Sequence, residues 1–448
     1  MRRLAFPHPL TLLTCCVLLA AALSQLLPAG RYERANDPAT GRTVVVAGTY
    51  HAVPPTPVGF FQTLIAIPKG LIDAASVIFF VFLVGGAFTV VDHTGALRQA
   101  VGALVRRLGG HDLIVIPIVS LLFAAGGALE NMQEEIIALV PVLLLLCRRM
   151  GFSPLTAVAM SLGSASVGAA FSPINPFQVG IAQKLASLPL MSGAAFRIVF
   201  LALALSAWIL GTMRHASRNR AIAVVETEPA TGEEFDARRM AVLGIVVAAF
   251  AVFVVGVMRL GWDFDQMSAL FLLMGVLAGL VGGLGIGGTA ESFVEGFKSM
   301  AFAAILIGFA RAVFVVLDQG QIIDTIVHAF VTPLATMPVS LAALGMMLFH
   351  TVVHVPVPSV SGQAVLTMPV LVPVSDLLAL PRQVTVLAYQ FGAGLCELLT
   401  PTNGALMAIL VAARVPYDEW LKFVLPRYFV LLLLGSVAVL SAIALGLH

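Results

Sequence analysis

Apolar stretches long enough to cross a bilayer follow one another from Leu10 to the C-terminus, and no polar stretch between them is large enough to fold as a separate domain. Inside lipid the backbone has no water to bond, so a crossing segment must satisfy its own N–H and C=O groups, as a helix does. The pattern restricts the chain to an all-α polytopic membrane protein. Composition agrees: of 448 residues 59% are hydrophobic and 11% charged, where a soluble domain carries about 25% charged. A net charge of +2 gives no electrostatic case for nucleic acid. Cys15, Cys16, Cys147 and Cys396 lie in apolar segments and read as small core residues, not as disulfides or metal ligands.

One phrase recurs. Ser172-Pro173-Ile174-Asn175-Pro176 and Thr400-Pro401-Thr402-Asn403-Gly404 each interrupt a long apolar segment, 228 positions apart. Proline lacks an N–H and forces the residue before it out of helical geometry, so both segments read as broken helices. The same offset pairs Pro141 with Pro369; an offset of 226 pairs Gly70 with Gly296, Phe88 with Phe314 and Asp92 with Asp318. The chain is therefore an internal duplication. Interrupted segments at matching places in two halves point to a transporter's midplane binding site.

Lys and Arg set the expected orientation. Arg2 and Arg3 place the start in the cytoplasm, and the first apolar stretch reads as an uncleaved helix, 10–28, in preference to a signal peptide. A polar external loop, 30–57, precedes helix 71–92, and Arg98, Arg106 and Arg107 mark the inside. The segment 112–149 has both ends inside. It is either a re-entrant hairpin or two spans joined by a very short external turn, and its short arms favour the hairpin, with its tip at Glu130-Asn131-Met132-Gln133-Glu134-Glu135. A broken helix, 152–187, and helix 194–212 complete the first repeat, 1–212. A cytoplasmic linker, 213–239, follows. The remainder, 240–448, holds helices 240–258, 266–283 and 298–318, a second hairpin, 333–378, tipped near 356–363, the second broken helix, 383–414, and helix 424–446, which ends outside. The repeats enter the membrane with opposite sense, so they are inverted.

The segments from Gly163 to Gln183 and from Leu399 to Ile409, with the Glu130–Glu135 tip, resemble the C4-dicarboxylate anaerobic carrier family, and within it the YfcC-like branch that includes or adjoins arginine/ornithine exchangers. The likeness covers nearly the whole chain. The family lies in the ion transporter superfamily, whose architecture is shared by divalent-anion/sodium symporters. It implies a scaffold that forms a homodimer, a transport unit moving as an elevator, and Na⁺ beside each hairpin tip. Carried over, the first ion site draws on Asn131, Ser172 and Asn175. The second draws on Ser359, Ser361 and Gly362 with Thr400, Thr402 and Asn403. Asn131, Asn175 and Asn403 are then the candidate Na⁺ ligands. Where the symporters carry Ser-Asn-Thr at both tips, this chain has Glu130-Asn131-Met132 and Ser359-Val360-Ser361-Gly362-Gln363, so neither coupling ion nor substrate charge carries over.

The residues suggest the chemistry independently. A broken helix frees backbone carbonyls for a hard cation, and the start of its second half, near Phe177 or Ala405, points a positive dipole end at the cavity, which suits a carboxylate. Carboxylates at midplane are costly and mark an ion or substrate path. Glu130 and Glu134 share a face if one helix runs through both. Glu397 has three roles open to it: holding a proton, holding a cationic group, or pairing with Arg311. Arg311 has the further option of holding a substrate carboxylate. Asp92 and Asp318 read as interfacial caps. His350 and His354, four apart with no third ligand, read as a satisfied or proton-sensing pair. Gly282–Gly288 lacks the Gly-Lys-Ser/Thr ending of a phosphate loop and reads as a flexible loop.

These features predict a secondary active transporter of a small organic ion in the inner membrane, coupled to Na⁺, H⁺ or a counter-solute. The acidic tip favours an amino acid such as arginine or ornithine over a C4-dicarboxylate. The rivals are a channel, which needs no hairpins, and an intramembrane enzyme, for which no nucleophile–base pair is evident.

Overall fold

The computed structural model describes residues 8–38, 42–97, 99, 100, 103, 112–220, 236–260 and 262–447. Arg2, Arg3, Arg98, Arg106, Arg107 and the linker stretch 221–235 lie outside the described residues, as does the Glu130 side chain. Among the described residues eight helices are long and apolar enough to cross a bilayer.

The chain begins with α1 (Pro9–Leu26). The expected polar loop is ordered as two short antiparallel ribbons, in which β1 (Gly30–Arg31) pairs with β4 (His51–Ala52) and β2 (Arg34–Asp37) with β3 (Arg42–Val45). Helices α2 (Phe60–Asp73) and α3 (Ala75–His93) follow, separated at Ala74. The first hairpin is α4 (Val115–Glu130) and α5 (Glu134–Arg149). The first broken helix is α6 (Pro154–Ala170), a gap, a wide turn at Pro176–Gly180, and α7 (Ile181–Leu185). Then come α8 (Ala194–Arg218), α9 (Ala237–Leu260), α10 (Phe264–Val281) and α11 (Gly285–Gln319). A short α12 (Ile323–Leu334) leads to the second hairpin, α13 (Val339–His354) and α14 (Val360–Leu377). The second broken helix is α15 (Arg382–Cys396) and α16 (Gly404–Ala412), and α17 (Tyr417–Ala444) ends the fold.

Helix α2, which precedes the expected helix start at residue 71, departs from the sequence reading, as do α11, the glycine run before it and α12. Helix α11 has 35 residues, about 52 Å. It starts inside the glycine run expected to be a flexible loop. Only 282–284 stays outside the helix, because the positive φ of Gly283 and Gly285 makes the reversal and the later glycines fit the first turn. At an offset of 226, α11 matches α2 and α3 together, one continuous rod against two. Helix α12 was not expected.

The inversion is visible in packing. A Cβ on Gly70 would lie 2.6 Å from Ala312 N, and a Cβ on Gly296 would lie 2.5 Å from Gly86 Cα. Adding 226 to Gly70 and Gly86 gives Gly296 and Ala312, so the two close contacts are the same contact exchanged between repeats. Residue numbers rise along α2–α3 as they fall along α11, so the two rods are antiparallel. Helices α8 and α17 repeat the relation across the other side of the molecule. Trp208 Nε1–H of α8 bonds Ala159 O at 2.9 Å, a carbonyl released by the wide turn Ala159–Gly163 inside α6. Trp420 Nε1–H of α17 bonds Leu398 O at 2.8 Å, a carbonyl released where α15 ends. Each flanking helix thus satisfies a backbone group that its broken helix leaves open in lipid.

Candidate functional site

In the first break, Ser172 Oγ–H bonds Ala128 O of α4 at 2.7 Å and accepts the N–H of Ile174 and Asn175. Asn175 Nδ2–H bonds Gly127 O at 2.8 Å, and its oxygen accepts both Phe177 N–H and Gln178 N–H at 2.9 Å. In the second, Thr400 Oγ–H bonds Cys396 O, Thr402 Oγ–H bonds Val355 O at the second tip, and Asn403 Oδ1 accepts Leu406 N–H at 3.0 Å. The shared asparagine is therefore an N-cap in both halves, and each break is fastened to the hairpin of its own repeat.

The tips complete the site. Asn131 sits in the left-handed region (φ 58°), which asparagine tolerates, and ends α4. Helix α5 restarts at Glu134. Glu130 and Glu134 are consequently on different helices, and the shared face expected from their spacing does not form. Asn131 Oδ1 accepts from Gln178 Nε2 at 2.8 Å, joining the first tip to the first break. Gln133, a residue that sequence reasoning missed, joins the same tip to the second break. Its Nε2 donates to the Glu397 carboxylate and its Oε1 accepts from Asn403 Nδ2 at 3.0 Å. The only sequence signal for Gln133 was its place in a polar tip between acids.

A cavity of about 750 Å³ opens above these contacts, a size suited to a small organic solute. Of the expected residues, Asn131, Glu134, Ser359, Ser361, Gly362, Glu397, Thr402 and Asn403 line it. Ser172, Pro173, Asn175, Thr400, Pro401 and Gln363 do not; the first five shape the breaks from behind. Gln363 turns into the second hairpin, where its Nε2–H bonds His350 O at 2.9 Å and its Oε1 meets His354 Nδ1 at 3.0 Å. It locks the two arms together, which gives the histidine pair its partner.

Glu397 is 4% exposed and ends α15. The ion pair with Arg311 does not form. Arg311 reaches Asp73 at 3.0 Å instead, both half exposed. The other arginine lining the cavity, Arg34, pairs with Asp324 at 3.1 Å. Among the described residues no cation pairs with Glu397. Glu134 and Glu135 line the same cavity, so its inner part is acidic. The duplication does not repeat this: at the 228 offset, Glu397 corresponds to Ala169 and Gln133 to Ser361.

The expected Na⁺ sites meet a geometric test here. A hard cation needs several oxygens with lone pairs to spare. Asn175 Oδ1 and Ser172 Oγ accept two N–H groups each, and Asn131 Oδ1, Asn403 Oδ1 and Ser359 Oγ accept one donor each. This is the bonding of helix caps and not of an open cage. The first set does not fit Na⁺.

The mouth of the cavity is partly covered by the β2 and β3 ribbon. Thr43 and Val45 line it, as do Trp262 and Asp318. Tyr32 N–H bonds Asp324 at 2.9 Å, and the Tyr50 ring stacks on His328 with centroids 4.0 Å apart. Burial first, then the Asp324 carboxylate, pushes the Tyr32 phenol up to about 12.

The model of the C4-dicarboxylate anaerobic carrier family matches residues 6–444. A Haemophilus influenzae protein of unassigned function is 30% identical over 98% of this chain and 97% of its own. An Escherichia coli protein named "Putative basic amino acid antiporter YfcC" is 34% identical over 84% of this chain and 79% of its own. Among solved structures, the YdaH transporter of Alcanivorax borkumensis aligns at TM-score 0.45 and 19% identity, covering 98% of this chain and 99% of its own. MtrF of Neisseria gonorrhoeae, described with a class of antimetabolite efflux pumps, aligns at TM-score 0.43 and 17% identity over 97% and 94%. With a family match running nearly end to end over a multi-pass helical fold, this chain is a membrane transporter that belongs to the C4-dicarboxylate anaerobic carrier family.

Proposed function

We propose that this transporter carries a small organic cation of the basic amino acid class, in exchange for a counter-solute or a proton. One observation carries the reading: the cavity where both breaks meet holds the buried Glu397 beside Glu134 and Glu135, while both arginines that line it are paired with other acids. A buried carboxylate without a cation is costly, and an ammonium or guanidinium group entering the cavity offsets that cost with charge-assisted hydrogen bonds. A zwitterionic backbone brings a carboxylate as well, and the start of α16, beside Asn403, supplies N–H groups for it.

The second reading follows the family's description, a C4-dicarboxylate. It requires Arg311 and Arg34 to leave Asp73 and Asp324 and turn inward, against the acidity of the inner cavity. We place it second for that reason.

On the Lys/Arg map the residues at the mouth, Arg34, Trp262 and Asp318, are external. The cavity then faces out, with the tips as its floor. Movement of the hairpins and broken helices against α2, α3 and α11 opens the opposite side, and the inverted repeats provide the second arrangement from the same contacts. The elevator motion, inner-membrane placement, cytoplasmic N-terminus, external C-terminus and homodimer expected from the sequence complete this reading.

The test is solute counterflow in proteoliposomes loaded with L-arginine, L-lysine or succinate. Labelled L-arginine should enter vesicles loaded with L-lysine and ignore those loaded with succinate. Succinate–succinate exchange without arginine uptake overturns the reading in favour of the dicarboxylate.

A further inference from the structure

The segment that joins α1 to α2 is tied at both feet to the same part of the molecule. Ser24 Oγ of α1 accepts Val58 N–H at 3.0 Å, and Gln25 Nε2–H of α1 bonds Val58 O at 3.0 Å. Thr56 Oγ–H bonds Gln319 O, at the end of α11, at 2.8 Å, and Gly30 N–H bonds Gln321 O at 3.0 Å. In the first turn of α12 the buried Asp324 accepts Tyr32 N–H through one oxygen and Arg34 Nη2–H through the other. Tyr50 O–H meets Thr325 Oγ at 3.0 Å. Helix α1 itself packs along α11. These bonds fasten the segment to a frame made of α1, the end of α11 and the start of α12.

The β2–β3 ribbon within it meets a different partner. Strand β3 packs against α14, the second arm of the second hairpin. Val45 is 4% exposed and shares an apolar core with Leu366 and Val370 of α14. Val45 and Thr43 line the cavity, and Val365 and Leu366 of α14 line it too. Hydrogen bonds fix a geometry, whereas apolar contact is non-directional and lets surfaces part or slide. When α14 shifts against α11, the ribbon stays with the frame that bonds it, and the β3–α14 contact is the one that breaks.

The corresponding connection in the other repeat is a turn. Helix α11 matches α2 and α3, so residues 27–59 before α2 correspond to 282–284 before α11. Inverted repeats exchange conformations, so symmetry alone leaves the two arrangements close in stability, and an element present on one side only tilts the balance between them. We propose that the β2–β3 ribbon is a latch that favours the arrangement with the cavity open on the ribbon's own side. Hydrogen bonds hang it from the frame, and its apolar contact holds α14 only while the second hairpin is in this position. The inference makes no assumption about the solute; it rests on the hairpin movement proposed above.

The experiment places a reporter, Ser361→Cys, at the second tip and measures its labelling by a membrane-impermeant maleimide in membrane vesicles of both orientations. The same protein without the reporter sets the background from the native cysteines. Labelling from the face opposite the ribbon follows the population of the other arrangement. Val45→Ala removes contact with α14 and leaves the anchors in place. Opposite-face labelling should then rise about fourfold to fifteenfold, the shift expected when one or two buried CH₂ groups' worth of contact is lost. Asp324→Asn loosens the anchor instead and should shift labelling in the same direction. A rise from the ribbon's face alone, the mark of a simple cover over the mouth, overturns the latch. So does an equal rise from both faces with a lower melting temperature, which marks a ribbon that only holds the fold. If the reporter protein exchanges L-arginine or succinate yet labels from the ribbon's face alone, the hairpin movement fails and the latch with it. If it labels from both faces in a ratio that neither variant alters, only the latch fails.

Discussion

Gln133 donates a hydrogen bond to Glu397 across 264 residues of sequence, from the hairpin tip of one repeat to the break of the other. This contact ties the inverted halves together at the cavity floor. It also places a buried carboxylate in the lining of the cavity.

Glu397→Gln removes the charge and keeps the shape. Arginine binding should weaken by about 100-fold, the loss expected when a buried charged hydrogen-bond partner is neutralised. Expression and melting temperature should hold or rise, since an acid buried beside Glu134 is gone. Equilibrium binding beside a thermal scan reads both, and an unaltered arginine affinity contradicts the assignment.

Arg311→Ala breaks the pair with Asp73. Both partners are half exposed, so stability should change by less than about 1 kcal/mol. Arginine counterflow should stay within about threefold of the parent, as expected for a rim charge that affects approach more than binding. Abolished transport in this variant, with succinate as the better solute, would show Arg311 facing the substrate.

Gly296→Leu drives a large side chain into the backbone of Gly86, where even a Cβ would lie 2.5 Å away. The α3–α11 contact must open, and overpacking of this kind costs about 1–3 kcal/mol or more. Gly70→Leu should do the same at the exchanged contact with Ala312. Lower melting temperatures of similar size for both variants are expected. A harmless outcome at either site contradicts the close helix approach.

Asp324→Asn removes the anion that holds Arg34 and Tyr32 N–H. The 30–52 segment should become more sensitive to protease in intact vesicles, because bonds to a buried charged acceptor contribute about 1.5–3 kcal/mol. Limited proteolysis with fragment mapping shows it. A cleavage rate equal to the parent's means that Asp324 is not the anchor.

Replacing Na⁺ with choline on both sides of the vesicle should leave counterflow unchanged, since the oxygens of the first break are already bonded to backbone N–H groups. A steep dependence on Na⁺ would mean that those caps open during transport.

Much of the fold was legible because lipid and proline impose local rules. Apolar length located most of the spanning helices, and Pro173, Pro176 and Pro401 located the breaks, since a missing N–H acts wherever the chain goes. The offset of 226 to 228 revealed the duplication before any contact was known. Glu397 and Asn403 stood out for the cost of a charge or carboxamide in an apolar run. Partners were another matter. Whether Arg311 meets Glu397 or Asp73, whether Glu130 shares a face with Glu134, and whether Gln363 faces the cavity or the hairpin are decided by side-chain direction and by where a helix stops. Arg34 carries no local mark, and Gln133 only its place in the polar tip. Their roles come from residues far away in sequence that the packing of two inverted halves brings within reach. The sequence by itself determined which segments cross the membrane and where they break, because solvation and backbone geometry are local. Tertiary structure alone decided which polar groups satisfy one another and which carboxylate is left facing the cavity, because hydrogen bonding depends on distances of about 3 Å that no spacing along the chain encodes.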